Sequence, residues 1–120
     1  MSKSIVIDSI GNISIKKLDD LKSLQNVVGG YIEHISFPFK KNCALSGFIN
    51  EEGKILNLPV NRIASLLWMK SNNWDKLYDV LCGDVIITGC VDDEGDTKDI
   101  TDEQLNDVML YIEEIKGNNN

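Results

Sequence analysis

An asparagine and an arginine stand together where a helix is expected to begin. The stretch is LPVNRIASLLW, residues 58–68, and the pair is Asn61 and Arg62. An arginine in the first turn meets the positive end of the helix dipole, which is the unfavourable sign for its charge. The same helix end leaves backbone N–H groups without helical partners, and these can bind an anion. The pair therefore predicts a site for the phosphate or carboxylate of a ligand.

Two residues further along the same helix extend this predicted site. At about 100° per residue, Ser65 and Trp68 fall on the flank that carries Asn61, whereas Arg62 lies further round the polar side. An indole ring one turn from an anion site can stack on a nucleobase or another flat ring.

An internal ion pair is the alternative explanation for Arg62. The chain contains 19 acidic residues, and Glu51, Glu52 and Asp84 are the candidate partners. In that case Asn61 would tie down the preceding hairpin. The sequence leaves the two explanations open.

A second group of candidate residues follows a glycine pair in the stretch GGYIEH, residues 29–34. Tyr31 and Glu33 are two residues apart and share one face of a predicted strand, while His34 points to the opposite face. The Tyr–Glu pair could hold a ligand hydroxyl or take part in acid–base chemistry, or it could be a half-exposed sheet surface. His34 is the only histidine, and no Ser-His-Asp or Cys-His arrangement accompanies it. We expect no catalytic residues and no enzymatic activity.

Acidic residues are concentrated between residues 92 and 107, where eight carboxylates accompany one lysine. The segment does not fit the calcium-binding EF-hand loop, because no glutamate follows its glycine at the required distance. It predicts a solvated acidic surface that could meet a basic protein by charge steering. Asp92, Asp93 and Asp96 would be central to such a surface.

Composition limits the classes of protein further. The net charge of −7 disfavours direct nucleic-acid binding, which needs clustered lysine and arginine. No apolar run approaches the roughly 20 residues that cross a bilayer, and no signal peptide is recognisable, so a cytoplasmic protein without membrane contact is expected. Cys43, Cys82 and Cys90 form no C-x-x-C motif and are expected to be reduced, buried thiols. Neither a metal site nor a cofactor is predicted.

Strand and helix patterns alternate irregularly, which predicts an α+β fold with a small, largely antiparallel sheet and about four helices. Residues 1–116 are expected to form one domain, followed by a disordered tail at 117–120. A hairpin is predicted between residues 43–50 and 54–58. Helices are predicted from Asp19 or Asp20 to a stop at Gly29-Gly30, from Pro59, from Asn72, and from a capping box of Thr101 and Gln104. Residues 85–88, which follow Gly83-Asp84, are predicted to form a buried strand.

Four motifs occur in series: VGGYIE at 28–33, NEEGK at 50–54, LPVNRIASLLW, and GDVIITG at 83–89. With them the chain, over roughly residues 24–110, resembles the family called domain of unknown function 3846. That family is common in bacteriophages, plasmids and the bacteria that carry them. The resemblance implies a small accessory protein, and by analogy a counter-defence factor, but no activity.

These observations together predict a non-enzymatic binding module in the cytoplasm of a host bacterial cell. Its ligand would be small, anionic and nucleotide-like, and a host protein is the other expected class of partner. A chain of this size often completes a pocket with a second copy, so a homodimer or higher homo-oligomer is expected. The alternative function is an acidic, DNA-mimic-like inhibitor of a host nuclease or other defence enzyme. The predicted ligand-binding residues are Asn61, Arg62, Ser65, Trp68, Tyr31 and Glu33.

Overall fold

The computed structural model describes residues 3–40, 42–92 and 94–117. Its elements are β1 (Lys3–Ile7), β2 (Ile13–Lys17), α1 (Leu21–Val28), β3 (Ile32–Lys40), β4 (Cys43–Asn50), α2 (Arg62–Ser71), β5 (Val85–Cys90) and α3 (Asp102–Gly117). The α+β class is confirmed. The described residues contain three helices, however, rather than about four.

The five strands form one antiparallel sheet in the order β2-β1-β5-β4-β3. Strand β5 is central, which explains why its run Val-Ile-Ile-Thr-Gly is buried throughout. Helix α1 packs on one face of the sheet, over a small cluster formed by Val6, Leu18, Val28 and Ile86. Helices α2 and α3 cover the other face and enclose the larger core. Successive strand residues contribute to the two clusters in turn, because side chains along a strand alternate between the two faces of the sheet.

Residues 72–81 do not form the predicted helix. Helix α2 ends at Ser71, and Asn73 has a φ of 56°, in the left-handed region that breaks a helix. Trp74, Leu77 and Tyr78 have helical spacing, yet Leu77 and Tyr78 are exposed. Leu81 is the first residue of this segment that is buried in the core, and its N–H bonds to the Ser65 hydroxyl. The helical spacing of these apolar residues therefore does not correspond to a helix, because the segment is irregular.

The predicted hairpin at residues 43–58 is also wrong. Strand β4 pairs with β3 and β5, and residues 51–57 form consecutive turns instead of a strand. Strand β3 continues past Pro38 to Lys40, with a register shift between Phe37 and Lys40. Because β3 is an edge strand, a proline there interrupts no central hydrogen-bond ladder.

The chain termini and the cysteines differ from expectation as well. Gly117, placed in the predicted tail, is the last residue of α3, and residues 118–120 lie outside the described residues. Cys43 and Cys90 form a disulfide between β4 and β5, with their Cα atoms 5.4 Å apart. Only Cys82 is a free, buried thiol, so the expectation of three reduced cysteines is corrected.

Gly89 on β5 leaves no room for a side chain. A Cβ atom there would lie 2.6 Å from the Lys98 carbonyl oxygen and closer still to that of Asp99. Both are backbone atoms, and the Gly89 N–H bonds to the same Lys98 carbonyl at 2.9 Å. The segment before α3 is therefore held directly against the central strand.

We expect Gly89→Ala to lower the free energy of unfolding by about 1–3 kcal/mol, because the clash must push this segment off the sheet. Thermal unfolding should show a melting temperature roughly 5–10 °C lower. Gly117→Ala is the matched control, since a Cβ at Gly117 meets nothing within 4 Å. Equal melting temperatures for Gly89→Ala and Gly117→Ala would contradict the close approach.

Candidate functional site

Asn61 is the N-cap of α2, so the helix begins at Arg62, three residues later than the predicted start at Pro59. Its side-chain Oδ1 accepts the N–H of Ala64 at 3.1 Å. Its Nδ2 donates to the carbonyl oxygens of Ile7 at 2.8 Å and Gly83 at 3.0 Å. The residue is only 1% exposed. The side chain thus joins the start of α2 to the end of β1 and the approach to β5.

Ser65 lies beside Asn61 in the interior. Its hydroxyl accepts the N–H of Leu81 at 2.8 Å and donates to the carbonyl oxygen of Leu81 at 3.4 Å. The residue is fully buried. The polar atoms of both Asn61 and Ser65 are therefore engaged by the protein's own backbone rather than presented to a ligand.

Arg62 has the opposite environment. It is exposed, and among the described residues no carboxylate lies within 4 Å of its guanidinium group, so the ion pair with Glu51, Glu52 or Asp84 is not formed. Asp84 instead accepts the N–H of Ser9 at 3.1 Å. The unfavourable dipole position of Arg62 is consequently not offset by an acidic partner in the described part of the chain.

Arg62 lines an open groove of about 460 Å³ between α2, the turn after it, and the end of α3. We call this the α2–α3 groove, and its residues are Arg62, Leu66, Met69, Lys70, Asn73, Trp74, Glu114 and Ile115. Four of them recur at helical spacing along α2 and the turn after it: Arg62, Leu66, Met69 and Asn73. The groove therefore presents one stripe of α2 to solvent.

The charge in the α2–α3 groove is positive on balance. Lys70 is paired, since its Nζ lies 2.8 Å from a carboxylate oxygen of Glu114 and 5.5 Å from the centre of the Tyr111 ring. That pairing leaves Arg62 as the unneutralised charge among the groove residues. An anion in the groove would meet the guanidinium group of Arg62 first.

The aromatic side chain in the groove is Trp74 rather than Trp68. The two rings meet edge to face, with centroids 5.0 Å apart. The Trp68 Nε1–H donates to the Ser36 carbonyl oxygen at 3.1 Å, which turns its ring toward β3. Trp68 therefore packs against Trp74, which lines the groove.

The predicted residues Glu33 and Trp68 both line a second, smaller cavity of about 140 Å³. Lys54 and Asp79 also line it and form an ion pair across its wall. Carboxylates outnumber cations in this cavity, which does not suit an anion. Tyr31 is 70% exposed and lines another surface depression, beside Gly30. The six predicted residues are thus distributed over the interior and three separate surfaces.

The Lys54–Asp79 pair joins the turns of residues 51–57 to the segment before β5. The hydrogen bond from Lys54 holds the pKa of Asp79 below its ordinary value of 3.8, and burial opposes this only in part. A depressed folded-state pKa contributes stability above the unfolded pKa, and that stability is lost as the pH falls through the folded pKa. The side chain is about half exposed, so solvent screening limits the contribution.

Asp79→Asn should therefore reduce the part of the stability that is lost as the pH falls below about 4, the ordinary carboxyl range. The difference from the wild-type chain should be less than about 1 kcal/mol, the scale of an exposed ion pair. Urea unfolding at pH 7 and at pH 2.5 measures both values. Identical acid-induced losses in the two proteins would show that the pair does not stabilise the fold.

The acidic segment is partly neutralised and partly structural. Asp92 accepts the N–H groups of Glu94 and Asp96, both at 2.9 Å, and so shapes its own loop. Asp93, the third residue singled out there, lies outside the described residues. On α3, four carboxylates pair with lysines from elsewhere in the chain; the partners are Lys3 with Asp102, Lys40 with Glu103 and Asp107, and Lys70 with Glu114.

His34 on β3 contacts two side chains of β4. His34 Nε2 lies 3.1 Å from Ser46 Oγ, but Ser46 is 1% exposed and the Phe48 ring meets the imidazole edge to face. In the ranges 3–40, 42–92 and 94–117, no three His, Cys, Asp or Glu side chains are grouped to hold a metal ion. No described helix is long and apolar enough to span a bilayer.

The family model for Domain of unknown function (DUF3846) matches residues 1–115. The chain belongs to this family. The resemblance seen in the four sequence motifs is thereby confirmed. No curated protein and no solved structure matches the chain. The family assignment adds no ligand or activity.

The residues predicted from the sequence include Arg62 but none of the other polar residues that line the groove. Lys70, Asn73 and Trp74 lie beyond the stretch LPVNRIASLLW, which ends at Trp68. A stripe was nevertheless visible in the sequence, because Leu66, Met69 and Asn73 follow Arg62 at intervals of four, three and four residues. The helical spacing that starts at Arg62 therefore indicates this side of α2 as far as Asn73.

The hydrogen bonds of Asn61 predict a specific mutational pattern. Asn61→Ala removes an N-cap and the side-chain donor to two carbonyl oxygens, so we expect a loss of about 3 kcal/mol at pH 7. Asn61→Asp keeps a good N-cap but places a carboxylate against the same two carbonyls. It should be at least as destabilising at pH 7.

Acid distinguishes the two variants. Burial and the facing carbonyls should raise the pKa of the introduced carboxyl group above its unfolded value. Its protonated form is then the better tolerated one, so the deficit of Asn61→Asp should shrink as the pH falls from 7 to 5, whereas that of Asn61→Ala should not. Urea unfolding at the two pH values measures this. If Asn61→Asp matched the wild-type stability at pH 7, Nδ2 would not be the essential donor.

Proposed function

We propose that this chain is a non-enzymatic binding module whose α2–α3 groove takes a small anionic molecule with a flat ring, such as a nucleotide. The observation that carries the proposal is the exposed Arg62 guanidinium group, which has no acidic partner within 4 Å among the described residues. Such a group can donate two parallel hydrogen bonds to a phosphate or carboxylate. The helix dipole favours this arrangement, because an anion at the first turn of α2 relieves the repulsion that Arg62 otherwise meets.

The size and lining of the groove support the same class of ligand. Its volume of about 460 Å³ lies within the usual range of small-molecule sites. Trp74 offers an aromatic face, while Leu66 and Met69 provide an apolar floor. A phosphate on Arg62 and a ring beside Trp74 would use both ends of this lining.

The proposed biological role follows from the ligand class and the family. A phage or mobile-element protein that holds a nucleotide-like molecule without converting it would act by sequestration, as a counter-defence factor against a host signal. Such a factor works in the cytoplasm of the host cell. Because the groove is open, a second copy of the chain would enclose the ligand more completely, and we include a homo-oligomer in the proposal.

The acidic surface is the weaker basis for a function. Four carboxylates of α3 have lysine partners within 4 Å, and Asp92 orders its own loop. A DNA-mimic-like inhibitor needs a dense array of free negative charges. We therefore favour the groove over the acidic inhibitor.

The decisive experiment is thermal unfolding with a panel of nucleotides, cyclic oligonucleotides and ADP-ribose derivatives. A ligand at 100 times its dissociation constant should raise the unfolding free energy by about 2.7 kcal/mol, a shift of several degrees. Arg62→Ala should weaken a binding ligand at least about tenfold, because a hydrogen bond to a charged group contributes roughly 1.5–3 kcal/mol.

Lys22→Ala is the matched control. It removes one exposed positive charge from α1, on the opposite face of the sheet, and should leave the shift intact. A ligand whose shift survives Arg62→Ala would place binding elsewhere. A flat panel, together with wild-type levels of host-protein capture by Arg62→Ala, would favour the acidic surface instead.

A further inference from the structure

The Cys43–Cys90 disulfide lies beside a surface cleft whose lining shares no residue with the α2–α3 groove. Cys43 is the first residue of β4 and Cys90 the last of β5, and both are partly exposed. Their Cα separation of 5.4 Å is within the range that a disulfide spans. The cleft encloses about 260 Å³ between the β3–β4 end of the sheet and α3. Cys43 forms part of its lining, together with Phe39, Leu45, Val108 and Tyr111.

A single side chain connects this disulfide to the start of α3. The Gln104 Nε2 donates to Sγ of Cys43 at 3.3 Å and to Sγ of Cys90 at 3.4 Å. The Oε1 of the same amide accepts the N–H of Thr101 at 2.9 Å, and the Thr101 hydroxyl accepts the N–H of Gln104 at 3.1 Å. These last two bonds are the predicted capping box, which is confirmed. The amide of Gln104 thus serves the helix cap and the sulfur atoms at once.

We propose that Cys43–Cys90 is a reversible thiol–disulfide exchange site for a small, uncharged or cationic thiol, and that Gln104 transmits its redox state to α3. The cleft gives an incoming thiolate access to Cys43. The Gln104 N–H groups stand where negative charge develops on the departing sulfur. A hydrogen-bond donor at that position stabilises a thiolate leaving group, and exchange is faster when the leaving thiol has a lower pKa.

The exchange is balanced by two molecules of thiol. The first thiolate attacks Cys43 Sγ, forms a mixed disulfide, and breaks the bond to Cys90, whose sulfur keeps the electron pair and takes a proton from water. A second thiolate attacks the sulfur of the bound thiol and releases Cys43 as a thiolate. The protein disulfide is reduced to two thiols, while the two small thiols are oxidised to one disulfide.

The charges at the cleft determine which thiol is accepted. Lys40 lies 3.9 Å from Glu103 and 3.7 Å from Asp107, so two carboxylates outweigh one ammonium group at the rim. The whole chain carries −7, which adds to the repulsion of anions. A cationic thiol should therefore approach faster than an anionic one, most clearly at low ionic strength.

The first test measures exchange rates by mass spectrometry of the oxidised chain with Cys82→Ser, which leaves only the pair. The probes are cysteamine, 2-mercaptoethanol and 3-mercaptopropionate, compared at equal thiolate concentration. We expect the rates to fall in that order at low salt and to converge in 1 M NaCl. Equal rates at low salt, or a chain whose Cys43 and Cys90 stay reduced in the presence of cystamine, would overturn the proposal.

Gln104→Glu separates the cap from the exchange chemistry. Glutamate keeps the capping-box acceptor for Thr101 but removes the donor to the sulfurs and adds a negative charge beside them. We expect exchange on the order of tenfold slower, the effect of losing one charge-assisted hydrogen bond, with the melting temperature of the oxidised chain little changed. An unchanged exchange rate would show that Gln104 does not assist the leaving sulfur.

The second test follows α3 by amide hydrogen exchange. Reduction should lower the protection of residues 104–106, because the pair no longer holds the Gln104 amide in place, and should lower the melting temperature by roughly 10 °C through the loss of a 47-residue closed loop. Cys43→Ser/Cys90→Ser should give the low protection with or without reductant. Unchanged protection of these amides on reduction of the wild-type pair would refute the link to α3.

Discussion

The buried side-chain amide of Asn61 organises one end of the sheet. It bonds to three backbone groups from three parts of the chain: the Ala64 N–H and the carbonyl oxygens of Ile7 and Gly83. Leaving a buried polar group unpaired costs more free energy than a typical hydrogen bond contributes. One asparagine therefore determines where α2 starts, how β1 ends and how the chain enters β5.

Arg62, the next residue, takes no part in the cap. Arg62 occupies the first turn of α2 with its guanidinium group in solvent because the cap lies beneath it. This division between a structural asparagine and an exposed arginine explains why the pair looked contradictory in the sequence.

Much of the fold could be predicted because several patterns were locally decisive. The run after Gly83 indicated a buried strand, the Thr101–Gln104 pair indicated the start of α3, and Gly29 ends α1 with a φ of 79° as a glycine stop requires. These features depend on neighbours within a few residues. The family resemblance depended on the same local motifs, and the match over residues 1–115 extends it to nearly the whole chain.

The errors arose where the deciding partner is distant in sequence. Leu81 returns to the core through Ser65, and the Lys54–Asp79 pair joins two irregular segments, so neither segment needed the regular structure that its spacing suggested. The disulfide was missed for the same reason, since Cys43 and Cys90 become neighbours only when β4 and β5 pair. For the candidate site, residue type was informative and position was not. Asn61, Ser65 and Trp68 share one flank of α2, but that flank faces the protein, and only the three-dimensional packing of β3 and residues 72–81 reveals it.

Helix α3 connects the Cys43–Cys90 disulfide to the α2–α3 groove. Its first turn contacts the disulfide through Gln104, and its last turns carry Glu114 and Ile115 into the α2–α3 groove. Sixteen residues of helix measure about 24 Å, so Gln104 and Glu114 lie toward opposite ends of one regular helix. The exchange site and the groove therefore share one helix, and the Lys70–Glu114 pair is the point at which a displacement of that helix would change the charge of the groove.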